Sequence, residues 1–328
     1  MSHNIDNSTG EYAFAFRGAP GWHGLGFPIM DGDTLDEIQV KARLNFGIEQ
    51  RPLVYGALNK ETGKIEPRTV EKLFAHVRND TQACIGTGSD RFNIVQPRDV
   101  LEFYRDLVTG TRYSLETAGA LDGGAKIFAL AKANIDIRLG VRDAIKVYLL
   151  FSTANDGSMS TRILQTGTRV VCANTMAIAL SDKSGVSVPH SRKVDAQAVK
   201  SELGLLDNEI VKFAETADTL TQAKWTDRDT LSFFVDLYGK KDEAGKLENE
   251  KHTKRVVTEL MQTYKNGPGA DMETANGTAW GAVQAVTHFV DHKTRAHSAN
   301  NRFTSAQFGI GADLKRLAMS RALELIAA

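Results

Sequence analysis

The chain has 328 residues, 42% of them hydrophobic and 24% charged, with 40 Lys plus Arg balanced by 40 Asp plus Glu. That composition excludes a chain disordered throughout, and the lack of net charge means that any electrostatic site for nucleic acid must be local. Two cysteines in unlike contexts, Cys84 and Cys172, fit neither a disulfide framework nor a metal knuckle, and no signal-like or membrane-length apolar run occurs, so the expectation is a cytoplasmic protein with no membrane partner.

Residues 1–13 are rich in Ser, Asn, Asp and Gly and read as a flexible leader. Thr34 followed three residues later by Glu37 marks the start of a short amphipathic helix over Leu35 to Leu44. Strands are predicted around Arg51 to Leu58 and Thr69 to Val77, joined as a hairpin through Asn59, Gly63 and Pro67. From Pro97 the period becomes helical, with Val100, Leu101, Tyr104, Leu107 and Val108 on one face and Gly110 at the C-cap.

Tyr113 to Leu121 and Lys126 to Ala133 alternate as strands around an Asp122-Gly123-Gly124 turn, and Lys146 to Thr153 and Met159 to Gln165 follow around Asn155-Asp156-Gly157. The expected unit is a four-stranded antiparallel meander, with a helix over Val170 to Ser181 lying across one face. After His190 the pattern turns helical, over Asp195 to Leu220, Asp229 to Tyr238, Thr278 to Lys293 and Gly311 to Ile326; Asn266-Gly267-Pro268-Gly269 is a break, and the charged run Lys240 to Lys254 is read as solvated. The fold class is therefore α+β: an antiparallel β-meander with helices packed on one face, followed by a mostly helical C-terminal half. The domains are an α+β core over 14–190 and a helical region over 191–328 that packs on it.

The chemistry-bearing residues do not make a standard active site. Gly21-Trp22-His23-Gly24-Leu25-Gly26 lacks the Lys-Ser/Thr ending of a phosphate loop and the spacing of a dinucleotide fingerprint, and reads as Trp22 packing on the core with His23 bonded to backbone. His288 and His292 are four apart on a helix beside Asp291, and a metal site there would need His23, His190 and His297 to converge on them, but Phe289 stands where a zinc protease needs glutamate. Asp31, Asp33, Asp36 and Glu37 suit a helix start, and Cys172, beside Val170 and Val171, reads as a packed thiol. Neither a cofactor nor a catalytic residue is expected.

Basic residues along the meander are the stronger signal. Lys126 and Lys132 share strand parity, Arg162 alternates with apolar neighbours, and Lys146, Arg169 and Arg192 add to a track that fits a phosphate backbone; Phe92, Tyr113, Phe128 and Tyr148 offer surfaces on which bases stack.

Gly-Trp-His-Gly-Leu-Gly at 21–26, Asp90 to Val95, Glu116 to Gly119, Arg169 to Thr175, Gly277 to Gly281, Asp291-His292, Phe308-Gly309 and Leu314-Lys315 occur in this order along nearly the whole chain. With these strings, which include Trp22, His23, Trp280, Asp291 and His292, the chain resembles the domain-of-unknown-function 932 family of phage- and plasmid-like proteins. The resemblance implies a mobile-element setting and no established activity. A helix, a meander and a second helix in succession is also similar to the core of single-strand annealing recombinases, which form rings and hold single-stranded DNA in a basic groove. That likeness implies phosphate contacts by Lys126, Lys132, Arg162 and Arg169, and a hydrogen bond from Asn174 at a helix start.

The expected function is single-stranded DNA binding and annealing by a homo-oligomer, without cofactor hydrolysis. The alternatives are a metal-dependent enzyme acting on nucleic acid or nucleotide through His23, His190, Asp291 and His292, and a non-catalytic interaction protein that blocks a host defence factor and would show an exposed apolar patch.

Overall fold

The computed structural model describes residues 5–18, 24–110, 113–169, 174–177, 185–204, 207–239, 248–296, 302, 305–306 and 309–327, with the side chains of 169, 174–177, 203–204 and 207–209 left aside. Among the described residues eleven strands make two sheets. In chain order they are β1 (Phe14–Arg17), β2 (Phe27–Ile29), β3 (Ile48–Leu58), β4 (Ile65–Arg78), β5 (Cys84–Ser89), β6 (Tyr113–Leu121), β7 (Lys126–Leu139), β8 (Asp143–Ala154), β9 (Thr161–Arg169), β10 (Asn174–Ala177) and β11 (Gly185–Val188). The large sheet runs β10-β9-β8-β7-β6-β1-β2, with β11 also on β9, and the small one runs β3-β4-β5.

The predicted meander is β6 to β9, antiparallel throughout. Its first turn works because Gly123 and Gly124 take φ of 69° and 91°, and Asp122 takes 52°. Alternation sorts the side chains. Ile127, Ala129, Ala131 and Ala133 on β7, and Ile145, Val147, Leu149 and Phe151 on β8, are buried on the inner face.

Helices pack on that face and on one another. These are α1 (Leu35–Lys41), α2 (Pro97–Glu102), α3 (Arg105–Thr109), α4 (Ala196–Gly204), α5 (Asp207–Gln222), α6 (Asp227–Tyr238), α7 (Glu250–Asn266), α8 (Ala279–His288), which continues as a π-helical turn Phe289–Lys293, and α9 (Ile310–Ala327). Thr34 and Glu37 form the expected capping box on α1, and Gly267 caps α7 at the predicted break. The helix expected over 97–109 is instead α2 and α3, divided at Phe103 and Tyr104. Both rings are buried there, and the Tyr104 hydroxyl lies 2.9 Å from the Ala129 carbonyl and 3.0 Å from that of Leu149. One hydrophobic cluster runs from Ala13 through the sheet to Phe213, Trp280 and Ala322, so the boundary near 190 marks a change of composition within a shared core.

Two expectations are corrected. Where a helix was expected across the sheet, Asn174–Ala177 is strand β10, paired with Thr166 to Arg169. β9 has an outer edge of backbone groups that need partners, and β10 and β11 share it end to end, which a helix could not do. Residues 170–173 and 178–184, including Cys172, lie outside the described residues. The leader is held from Ile5 onward: Ile5 bridges to Leu121, and Asp6 is buried in an ion pair of 2.5 Å with Arg78. The cause is Arg78 itself, 1% exposed, whose charge requires counter-ions where water is excluded. It also bonds Asp80 at 2.7 Å and the Gly123 carbonyl at 3.0 Å, and lies 3.8 Å over the Phe46 ring. No described helix is long and apolar enough to cross a membrane.

Candidate nucleic-acid interface

The outer face of the meander carries the other half of each alternating strand. On β7 these are Lys126, Phe128, Leu130 and Lys132; on β8, Lys146, Tyr148, Leu150 and Ser152; on β9, Arg162, Leu164, Thr166 and Thr168. The register sets them in rows: Phe128 opposite Ser152 and Ser152 opposite Arg162, Leu130 beside Leu150 beside Leu164, Lys132 opposite Tyr148, and Lys146 between Asp136 and Thr168. Neighbouring strands are about 4.8 Å apart and alternate residues about 7 Å along a strand. Four cations and two aromatic rings thus share one face across three adjacent strands; of the rings, Phe128 packs on Phe14 with centroids 6.2 Å apart, and Leu150, Ser152 and Thr166 on the same face are buried.

Acids moderate the charge. Lys126 bonds Asp122 at 2.8 Å, Lys132 lies 3.8 Å from Asp136, and Lys146 has no carboxylate within ion-pair distance among the described residues. Burial, with Glu116 and Asp136 nearby, pushes the Tyr148 phenol up to about 12. The hydroxyl is therefore a proton donor at neutral pH.

The remaining predicted contacts are elsewhere. Arg169 pairs in register with Ile145, at the parity opposite to Arg162, and Asn174 begins β10 rather than a helix. Arg192 is exposed in the turn after β11, where its amide donates to the Pro189 carbonyl. Tyr113 is buried in the core, and Phe92 is enclosed between two histidines. These two rings offer no open stacking surface.

The string Asp90 to Val95 is a junction. Phe92 stacks on His190 with centroids 4.2 Å apart and meets His76 at 4.5 Å. Gly88 permits this, since a Cβ there would lie 2.8 Å from the His76 ring. Asn155 is fully buried: its Oδ1 accepts from the Val95 amide at 3.0 Å, its Nδ2 donates to the Val95 carbonyl at 2.9 Å, and its own carbonyl is 2.6 Å from His76 Nδ1. Burial holds the His76 imidazole below its usual range. Beside this junction a cleft of about 730 Å³ is lined by Phe92, Asn93, Asp99, Glu102, Lys193 and Lys200 among others. Lys200 is already engaged, 2.9 Å from Asp106 and over the Phe103 ring.

Of the histidine cluster of the alternative reading, His190, Asp291 and His292 are among the described residues and His23 is not. His190 bonds the Asn93 and Met159 carbonyls, and no group of three metal-binding side chains occurs among the described residues. His288 and His292 do meet, 4.6 Å between centroids, and burial pushes His288 down to about 4. Trp22, His23 and His297 lie outside the described residues. Asp291 of the π-helical turn makes a buried ion pair of 2.8 Å with Lys315 of α9, joining two of the strings singled out above. Trp280 Nε1 points to Asp143 at 3.4 Å, and Thr274 donates to the same carboxylate at 2.7 Å.

A family model described as Domain of unknown function (DUF932) matches residues 84–307, more than half of the chain. The chain belongs to the DUF932 family. The matched stretch holds the meander, Phe92, Asn155 and His190 of the junction, and the Asp291 turn, while β1 to β4, with His76, precede it. No curated protein and no solved structure matches this DUF932 chain.

Sequence reasoning missed the acids that answer the lysines. Asp122 precedes Lys126 by four residues and Asp136 follows Lys132 by four, a spacing that was readable but whose meaning on a strand depends on the turn and bulge between them. Arg78 carried no local signal, because its partner Asp6 is 72 residues away.

Proposed function

We propose that this DUF932 protein binds single-stranded DNA across the outer face of β7, β8 and β9 and acts in annealing rather than in bond-breaking chemistry. The observation that carries the reading is the register, which puts Lys126, Lys132, Lys146 and Arg162 on one face with Phe128 and Tyr148. Cations spread over two or three nucleotide lengths suit phosphates, and the Tyr148 ring between them suits an unpaired base. Bases held by stacking keep their pairing edges free, so annealing needs neither nucleophile nor metal. Asp122 and Asp136 lower the net charge of the face, which favours modest affinity with a steep salt response.

The test is fluorescence anisotropy with a labelled oligonucleotide across a salt series, with duplex as control. Neutralising four phosphates on a single strand predicts a log–log slope of about −2.8, so raising salt from about 50 to 200 mM weakens binding about 50-fold. Lys132→Glu with Lys146→Glu is expected to weaken binding more than 10-fold, whereas Lys265→Glu on α7, remote from the sheet face, leaves it unchanged. Absence of binding at low salt, or equal loss with both sets, overturns the reading.

A further inference from the structure

Beyond residue Val54 the β3–β4 hairpin leaves the protein. β5 pairs only with Leu73 to Val77 at its base, and at the exit four residues of β4 oppose Leu53 alone, with Lys72 at φ 57°. The outer part is a two-stranded ribbon with a well-made turn: Asn59 Oδ1 accepts from the amides of Glu61 and Thr62, and its Nδ2 donates to Glu66. Cross-strand pairs Val54 with Thr69, Gly56 with Pro67 and Leu58 with Ile65 share one face, so that face has no charge at all. Val54, Leu58 and Ile65 are 53%, 65% and 75% exposed. An isolated two-stranded ribbon is marginal in water, and an uncharged face on it has a reason to be covered.

Charge indicates the cover. Residues 51–72 hold five bases against three acids, so two arms meeting face to face would repel. The edge strand β2 and helices α1 to α3 have the opposite balance: residues 27–41 and 97–109 together hold seven acids against three bases, and the acids remain in excess when Arg17 and Lys200, which pair with Asp31 and Asp106, are added. This surface exposes Met30 at 58% and Val40 at 52%, flanked by Asp31 and Asp36. Their ion pairs with Arg17 and Arg105 are on the exposed surface, where such pairs contribute little and re-form readily. Pro52 and Pro67 interrupt the hydrogen-bonding edges of the ribbon, which leaves the side-chain face as the contact.

We infer that the occupant is a second copy of this chain: the uncharged face of one protomer's arm lies on the β2–α1 surface of the next, with its basic flanks against that acidic ground. Different surfaces then meet, so the contact is head-to-tail and builds a ring or an open filament. This assignment is independent of nucleic-acid binding and is read without it.

The full-length protein is measured by size-exclusion chromatography with light scattering at about 100 μM, in low and high salt. Wild type is expected above twice the 35.9 kDa chain mass in low salt. Ile65→Asp removes the arm and Val40→Asp removes the surface; each is exposed, and each variant alone is expected to run as a monomer. Mixing the two restores one intact interface and gives a dimer that grows no further. A monomeric wild type overturns the inference, as does a Val40→Asp variant that assembles normally, the result for arm-to-arm contact or a foreign partner. Circular dichroism of each variant separates lost assembly from lost folding, and in a variant that fails to fold, Leu58→Lys and Met30→Lys take the same two places.

Discussion

Replacing Arg78 by Met removes a guanidinium that is 1% exposed and bonded to Asp6, Asp80, Ser8 and the Gly123 carbonyl. Methionine fills much of the space against Phe46 but supplies no donor. Asp6, 5% exposed, is left charged without its partner, and the Gly123 carbonyl loses a bond. Breaking a buried pair from one side costs about 3–5 kcal/mol, a large part of the ~5–15 kcal/mol that holds a typical domain. Urea unfolding followed by tryptophan fluorescence measures the loss. Because most of it is the orphaned carboxylate, Arg78→Met combined with Asp6→Leu is expected to regain at least half. A single variant costing less than about 1 kcal/mol, or a double variant no better than the single, would refute the account of Arg78 as the reason the leader is ordered.

Asn155→Ala removes both side-chain bonds to Val95, with an expected cost of about 2–5 kcal/mol and faster amide exchange at Val95; unchanged exchange there would argue against the junction. Gly88→Ala places a methyl group 2.8 Å from the His76 ring and 2.9 Å from Phe92 Cβ, an overpacking worth about 1–3 kcal/mol by thermal unfolding; an unchanged midpoint would contradict the close approach. His288 is held down to about 4 by burial, with His292 and Lys293 adding to it, so the fold prefers the neutral ring. Its contribution is complete above the ordinary histidine value near 6.5 and declines as pH falls from there to about 4; His288→Gln should flatten the urea midpoint over that interval, and an unaltered slope would rule the residue out. Asp80, lowered first by its bond from Arg78, acts lower on the scale: its contribution holds above about 3.8 and is lost as pH falls through the folded value. Asp80→Asn should lessen acid sensitivity below pH 4.

Local patterns told most where local physics decides. The Thr34–Glu37 box, the double-glycine turn at 123–124 and the alternation of β7 each need only a few neighbouring residues, and each stands in the structure as the sequence indicates. The short strands β1, β2, β5, β10 and β11 escaped notice, since three to six residues carry little periodicity and form because an edge is available to them. Asn174 to Ala177 contains good helix formers, yet the open edge of β9 overrides propensity. In the candidate site, parity placed Lys126, Lys132 and Arg162 together correctly. It could not place Arg169, where one uninterrupted strand from 161 sets odd residues on the other face, nor show that Phe92 is closed in by His76 and His190 from 16 and 98 positions away.

The pairing of β1 with β6 and the stacking of Phe92 on His190 also impose an order in time. Phe14 has to wait for Gly119, and Phe92 for His190, each about a hundred residues later in the chain. At a synthesis rate of roughly 5–20 residues per second, each wait lasts about 5–20 s, long compared with hairpin formation in microseconds. The β3–β4 ribbon, with β5 at its base, is therefore complete well before the meander whose Asn155 holds His76 of β4. During that interval the nascent chain presents its uncharged ribbon face with the meander unmade, an exposure of apolar surface that the finished fold reaches only later.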